Sequence, residues 1–361
     1  MRLLLAGGGT GGHLFPAVAL GERLLETDKA GKVHFVGTAR GMEAKVLPQL
    51  GLPLTTIDIT GWSGKTWPER IKVFGKMIGS MFEANRILRQ FRPDVVVGTG
   101  GYASGPVLAV ARLRGYPTVI LEQNAELGLT NRLLAPWMDR VCVSLPEAAD
   151  RIGKNKGVWT GNPLRRGMER GHGLPPDDPP ALLIFGGSQG ARAINDAMTA
   201  ALPELAAWRG RLKILHQTGE EDRDRIAAAY RQAGWEDAEI VPFIRDMAAA
   251  YHRAHLVVCR AGATTLAELT ACGRPAILIP FPEAARDHQT ANARVLSLQG
   301  AGILLSQADL DGESLGAAVQ GLLGDRGKLE EMARVASKLG RPGAADRVLN
   351  ECRALLSQRG N

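Results

Sequence analysis

The chain has 361 residues, of which 45% are hydrophobic and only 5% aromatic, enough for two domains of ordinary size with a sizeable core. A net charge of +7 with no recognisable nucleic-acid module argues for phosphorylated ligands or an anionic membrane surface and against nucleic acid. Four scattered cysteines without a C-x-x-C pair, and seven histidines without an H-E-x-x-H spacing, exclude a disulfide framework, a structural zinc site and a protein-bound catalytic metal.

The first predicted strand, Leu3–Ala6, breaks at Gly7, too early for a signal peptide or a membrane span, so a cytoplasmic chain is expected. It enters the glycine-rich turn Gly7-Gly8-Gly9-Thr10-Gly11-Gly12-His13. A segment with Ala17, Val18, Leu20, Leu24 and Leu25 at helical spacing follows. Such a turn points backbone N–H groups outward, and the helix N-terminus adds partial positive charge, so the place suits a phosphate. His13 puts a titratable group at its mouth. Gly7, Gly9 and Gly12 also fit G-x-G-x-x-G. However, the second strand, Val33–Val36, ends in Gly37-Thr38 and lacks the acidic residue that a dinucleotide ribose requires, so no nicotinamide or flavin is expected.

Further strands are predicted at Leu54–Ile59, Val95–Val97, Thr118–Leu121 and Val141–Val143, with helical patterns between most of them. This alternation implies a parallel sheet covered on both faces. Gly64-Lys65-Thr66 ends like a phosphate loop, but Ile59 stands where that motif needs its first glycine, so the stretch reads as a surface loop. In the helix that follows, Ile71, Phe74, Ile78, Met81 and Phe82 recur at helical spacing beside Lys65, Arg70, Lys72 and Lys76. Either this is a core-facing helix with a solvated basic side, or it is an apolar patch ringed by cations that rests on anionic lipid. A second glycine turn, through Gly98, Gly100 and Gly101 to Tyr102, sits at the same sheet edge as the first, where open α/β sheets bind ligands. Glu122-Gln123-Asn124 follows a strand end and is either a turn and cap or a ligand contact.

From His172 to Pro180 the chain is rich in Pro and Asp and reads as a linker, after which the plan restarts. Strands are predicted at Leu182–Phe185, Lys213–His216, Glu239–Val241, Leu256–Cys259, Ala276–Ile279 and Ile303–Leu305. A third glycine turn, Gly186 to Arg192, contains Ser188. At Arg260–Glu268 another turn opens a helix. Thr265 and Glu268 have capping-box spacing, and the alternative role for Glu268 is to accept the two hydroxyls of a ribose. Asp287-His288-Gln289 places more polar groups past a strand end. The expected domains are residues 1–162 and 163–342, with a C-terminal helix at about 343–361 crossing back onto the first.

In order and spacing, GGGTGGH, GTGGYASGP, EQNAELGLTN, TGNPLR, GGSQGAR, CRAGATTLAEL and DHQ resemble the motifs of the MurG family, the glycosyltransferases that complete lipid II in bacterial cell-wall synthesis. The likeness covers nearly the whole chain. It implies an α/β GT-B fold of two Rossmann-like domains with parallel sheets facing a central cleft. It also implies transfer of N-acetylglucosamine from UDP-N-acetylglucosamine to lipid I, β-1,4 and with inversion, without a metal or other cofactor. Carried over by motif, Thr10, Gly11 and Gly12 line the cleft, Asn124 meets the sugar, and Arg165 and Ser188 bind the donor. Ile244 borders the uracil, Ala263, Thr264, Thr265, Leu266 and Ala267 cradle the nucleotide, Glu268 takes the ribose, and His288 and Gln289 reach the sugar hydroxyls. Gly9, Gly100, Gly101 and Tyr102 would meet the acceptor diphosphate. Many relatives have His before the E-Q-N motif, where this chain has Leu121.

The chemistry of the residues agrees with that resemblance. Helix N-termini with Arg260 or Arg165 can take the charge of a leaving UDP. An inverting displacement needs a base for the acceptor hydroxyl; His13 is the first candidate and Glu122 the second. The lipid-linked acceptor implies peripheral attachment at the cytoplasmic face of the membrane, and other cell-wall synthesis proteins are possible partners. The alternatives are another enzyme using the same donor, such as a 2-epimerase, and a nucleotide-sugar-binding subunit without chemistry of its own. The paired GGTGGH and EQN motifs favour the transferase.

Overall fold

The computed structural model describes residues 1–60, 67–152, 156–168, 173–176, 179–187, 189–284 and 287–359. They fall into two compact units, Met1–Arg165 with Gly343–Asn361, and Arg166–Pro342.

In the first unit, β1 (Arg2–Gly7), β2 (Lys32–Gly37), β3 (Leu54–Thr56), β4 (Val95–Gly100), β5 (Thr118–Glu122), β6 (Arg140–Val143) and β7 (Gly157–Trp159) pair in parallel in the order β3-β2-β1-β4-β5-β6-β7. The helices are α1 (Gly11–Thr27), α2 (Glu43–Gln49), α3 (Trp67–Phe91), α4 (Ser104–Leu113), α5 (Leu129–Leu134) and α6 (Pro146–Ile152). Strand side chains alternate between faces, so one apolar run serves two cores. Leu3, Leu5, Val95, Val97, Val119 and Leu121 pack on α1, whereas Leu4, Ala6, Val96 and Ile120 pack on α3 and α4. Strand order reverses between β1 and β4, the switch point at which such sheets bind ligands. The β1–β4 register slips between Ala6 and Gly7, so that Gly7 pairs with Gly100 and the two glycine turns leave the sheet side by side.

The second unit repeats the plan. Strands β8 (Ala181–Phe185), β9 (Lys213–Gln217), β10 (Glu239–Val241), β11 (Leu256–Cys259), β12 (Ala276–Leu278) and β13 (Gly302–Leu304) run parallel in the order β10-β9-β8-β11-β12-β13. They alternate with α7 (Arg192–Ala201), α8 (Arg223–Gln232), α9 (Met247–Arg253), α10 (Ala263–Cys272), α11 (His288–Leu298), α12 (Gly312–Leu323) and α13 (Arg326–Leu339). No helix among the described residues is long and apolar enough to cross a membrane.

The last helix, α14 (Ala344–Arg359), belongs to the first unit and lies on α1. Val348, Leu349, Cys352 and Leu355 are buried in the same cluster as Leu14, Ala17, Val18 and Leu24. Arg23 pairs with Asp346 at 2.8 Å and Arg140 with Glu351 at 3.2 Å. Such partly exposed pairs contribute little beside the apolar burial. Leu349→Ala should therefore destabilise the first unit by roughly 2–5 kcal/mol, read as a lower urea midpoint at unchanged slope. A change within error would show that α14 is an ornament on the sheet.

Candidate functional site

In the first unit the site is built on the turn after β1. Gly8 and Gly9 both have positive φ, 138° and 86°. The reason lies beneath them. Glu43, the first residue of α2, is 1% exposed and points its carboxylate up into the turn. It accepts from Gly9 N at 2.7 Å, Thr38 N at 2.7 Å and Thr38 Oγ1 at 2.9 Å. A Cβ at Gly8, Gly37 or Gly41 would fall within 2.4 Å of this side chain, so three glycines clear its space. The Gly9 N–H is thus engaged by this carboxylate from below. Gly100 and Gly101 are the other candidates for an acceptor diphosphate, with half-exposed Tyr102 beside them. The second turn presses on the first, since a side chain at Gly101 would meet the Gly8 carbonyl at 2.5 Å.

Thr10 is the N-cap of α1 without a side-chain cap bond, and Gly11 and Gly12 form its first turn. His13 follows, with Nδ1 3.3 Å from the Gly8 carbonyl and 3.4 Å from Thr10 Oγ1. A carbonyl only accepts, so this contact is a hydrogen bond when Nδ1 carries the proton, and in the neutral ring the lone pair is then on Nε2. Arg165 lies with its guanidinium 4.7 Å from the centroid of the Phe15 ring on the same helix.

Glu122, the second candidate base, ends β5 at 1% exposure. Oε1 accepts from Asn124 N at 3.0 Å and Asn124 Nδ2 at 3.2 Å, and Oε2 from Gly128 N and Asn131 Nδ2, both at 2.9 Å. Both oxygens are engaged by the loop that presents Asn124. The arrangement makes Glu122 the scaffold of that loop. Gln123 turns inward and donates to the Thr99 and Leu121 carbonyls.

In the second unit, α10 begins at Ala263 with Gly262 as N-cap and no side-chain cap bond. Thr265 is therefore inside the helix, and the capping-box reading of Thr265 and Glu268 fails. Glu268 is 2% exposed and accepts from Tyr251 Oη at 3.1 Å. Ala263, Thr264, Thr265 and Ala267 stay partly open around it, and Leu266 turns into the core. Arg260 donates to the carbonyls of Ile279 and Pro280 at 3.2 and 3.0 Å and to Gln307 Oε1 at 2.6 Å. Burial lowers its affinity for a proton, yet a guanidinium stays charged, so Arg260 braces the loop after β12 while adding a positive charge there. Gln289 accepts from Phe281 N at 3.0 Å, which leaves its NH2 end as the donor, and His288 opens α11 beside it. Ile244 is buried after β10, and Ser188 lies outside the described residues. A cavity of about 420 Å³ opens at the other end of this sheet, among Ala181, Lys213, Trp235 and Glu239, away from all these loops.

Glycosyltransferase family 28 is matched twice, its N-terminal domain over residues 3–143 and its C-terminal domain over residues 181–348. A protein of Syntrophotalea carbinolica, named as a UDP-N-acetylglucosamine--N-acetylmuramyl-(pentapeptide) pyrophosphoryl-undecaprenol N-acetylglucosamine transferase, is 57% identical over 99% of this chain and 100% of its own. The crystal structure of Acinetobacter baumannii MurG superposes with a TM-score of 0.78 at 33% identity, covering 98% of this chain and 99% of that one. The chain belongs to the MurG family. A putative UDP-N-acetylglucosamine 2-epimerase of Listeria monocytogenes also superposes, at TM-score 0.70 over 99% of this chain and 97% of that one, but at 15% identity it shares the fold alone.

Set against the MurG family motifs, the residues that sequence reasoning missed are the buried ones behind them. Glu43 and Tyr251 are two. A third group stands behind the glycine turn before α7: His216, wholly buried, meets Tyr230 Oη at 3.0 Å and Asn195 Oδ1 at 3.1 Å. Asn195 Nδ2 donates to the Thr218 carbonyl and to Asp222, both at 2.9 Å. That carbonyl lies where a Cβ on Gly190 would be, at 1.9 Å, so the network fixes the floor of the turn. Burial pushes His216 down to about 3 from 6.5. A folded state that holds this histidine neutral is favoured above the unfolded value and loses that advantage as pH falls from 6.5 toward 3. Stability should decline across that window in the parent protein and decline less in His216→Gln; parallel pH profiles of urea unfolding would count against the assignment.

Proposed function

We propose that this chain transfers N-acetylglucosamine from UDP-N-acetylglucosamine to the C4 hydroxyl of the muramoyl sugar of lipid I, giving lipid II and UDP with inversion. The observation that carries the reading is His13: its Nδ1 proton is held by the Gly8 carbonyl, so Nε2 is the basic nitrogen at the mouth of paired glycine turns. Nε2 takes the hydroxyl proton as that oxygen attacks the sugar carbon. Glu268, set by Tyr251 beneath the first turns of α10, accepts the ribose hydroxyls. The charge on departing UDP is met by the N-termini of α7 and α10 and by Arg165 and Arg260. Asn124, Gln289 and His288 hold the sugar hydroxyls. The first unit then takes the acceptor and the second the donor. Purified protein with donor and a lipid I analogue is the direct test, and failure to form the disaccharide would remove the reading. Glu268→Ala loses charge-assisted hydrogen bonds worth roughly 1.5–3 kcal/mol each, so donor affinity should fall at least about tenfold. Unchanged affinity would take Glu268 out of the site.

A lipid-linked acceptor draws the enzyme to the membrane, and we propose a peripheral mode at its cytoplasmic face through the first unit. Phe82 is 72% exposed on α3, with Ile78 and Met77 open beside it. Leu133 and Trp137, after β5, are 64% and 67% exposed, and α4 packs against both α3 and α5. Exposed Arg86, Arg89 and Arg132 supply positive charge. Lys76 spends part of its charge on Asp58 at 2.8 Å, and Lys65 and the side chains of Ile71, Lys72 and Phe74 lie outside the described residues. Phe82→Ser with Trp137→Ser should release the protein from anionic vesicles while activity on a water-soluble acceptor survives. Unaltered vesicle binding would assign the membrane contact to another surface.

A further inference from the structure

Gly8 and Gly9 share one peptide group, and both of its polar atoms are engaged. On one side its N–H donates to Glu43 Oε2 at 2.7 Å; on the other its C=O receives His13 Nδ1 at 3.3 Å. The carboxylate, the peptide and the imidazole thus form one hydrogen-bonded chain in which every donor points the same way, from His13 through the peptide to Glu43. Chains of this kind polarise one another, more so where a buried carboxylate ends them. Glu43 is 1% exposed and is held from its other oxygen by Thr38 N at 2.7 Å and Thr38 Oγ1 at 2.9 Å, so it cannot swing away.

We propose that Glu43 is a positioning residue for His13, acting through the Gly8–Gly9 peptide as the third member of a carboxylate–peptide–histidine relay. The inference rests on the base role given to His13 above. In the resting state the relay fixes the tautomer with its proton on Nδ1. When Nε2 takes the acceptor's hydroxyl proton, the imidazolium cation is stabilised by the carboxylate through the polarised peptide. No proton moves along the chain: Nδ1 keeps its own, and Glu43 receives none.

Among the described residues around α1, Glu43 is the carboxylate that reaches this peptide. The strand β4 against α1 carries no titratable side chain, and β1 carries only Arg2, which is bound to Phe91 and Arg92 at the far end. On β2, His34 is tied to Thr55 and Lys32 begins the strand. On α14, Asp346 pairs with Arg23, Glu351 with Arg140, and Arg347 donates to the Thr160 carbonyl; Arg353 donates to Asn350. Arg165, over Phe15, is a cation and opposes the imidazolium. Glu122 is surrounded by its own donors.

The test is the His13 ring itself, followed by nitrogen NMR in full-length protein labelled at histidine and assigned with His13→Ala. Glu43→Gln keeps the shape and removes the charge. The His13 titration should then move down by about half a pH unit or more, with loss of the pure Nδ1–H tautomer. In parallel, kcat should fall about tenfold or more while UDP affinity holds, and Glu43→Gln in a His13→Ala background should cost nothing further. An unmoved titration, or losses that multiply in the double variant, would overturn the relay. If His13→Ala keeps its rate while the ring still responds to Glu43→Gln, the base reading falls and the relay stands. Should Glu43→Gln not fold, Thr38→Val withdraws one donor from the carboxylate and leaves its charge less satisfied, so the His13 titration should rise. Movement in the other direction, or none, overturns the proposal equally.

Discussion

A carboxylate taken out of water costs several kcal/mol unless donors replace the solvent, and among the described residues three such groups lie at the carboxyl ends of the parallel strands or on the helices that follow. Glu43 after β2, Glu122 at the end of β5 and Glu268 on α10 are each 2% exposed or less. The first is satisfied by the β1 turn and Thr38, the second by the Asn124–Asn131 loop, and the third has Tyr251. The loops around Glu43 and Glu122 are therefore held in shape by a charge that has no other place to go. Those loops carry His13 and Asn124. The rigidity a transfer site needs comes from desolvation as much as from packing.

The fold was largely legible because its signal is periodic. Apolar runs of strand length alternating with helical patterns gave twelve strands close to their observed positions, and the glycine turns marked where β1, β4 and β8 end. β7, Gly157–Trp159, escaped because three residues at a sheet edge carry too little pattern. At the opposite edge the pattern predicts a strand over Leu54–Ile59, whereas the observed β3 stops at Thr56 for the same reason. The Ala276–Ile279 expectation ran one residue past the observed β12.

The site was legible only in part. Glycines, His13 and the E-Q-N stretch announce themselves by residue type beside a strand end. Glu43 does not: in sequence it is an ordinary acidic residue in the first turn of a helix, the position a helix dipole favours anyway. Its partner Gly9 is 34 residues away, and only the folded turn brings them together. Tyr251 and Glu268 are 17 apart on different helices, and His216 and Asn195 are 21 apart. Spacing arguments reach one or two turns of one element; contacts made across a sheet edge lie beyond them. Thr265 and Glu268 also have capping-box spacing, but the helix has already started at Ala263, so of the two readings the local motif is the one the structure removes.

The same geometry sets this G-x-G-x-x-G loop apart from the dinucleotide form of the motif. In that motif the glycine N–H groups and the helix N-terminus face an anion from above. Here the anion is the protein's own and lies below: Glu43 occupies the underside of the turn and takes the Gly9 N–H. With that negative charge in place the turn disfavours a phosphate at Gly9 and favours a cation forming nearby. An imidazolium on His13, whose Nδ1 meets the Gly8 carbonyl, is such a cation. The glycine pattern specifies a tight backbone turn; the charge placed beside it decides which sign of charge that turn favours.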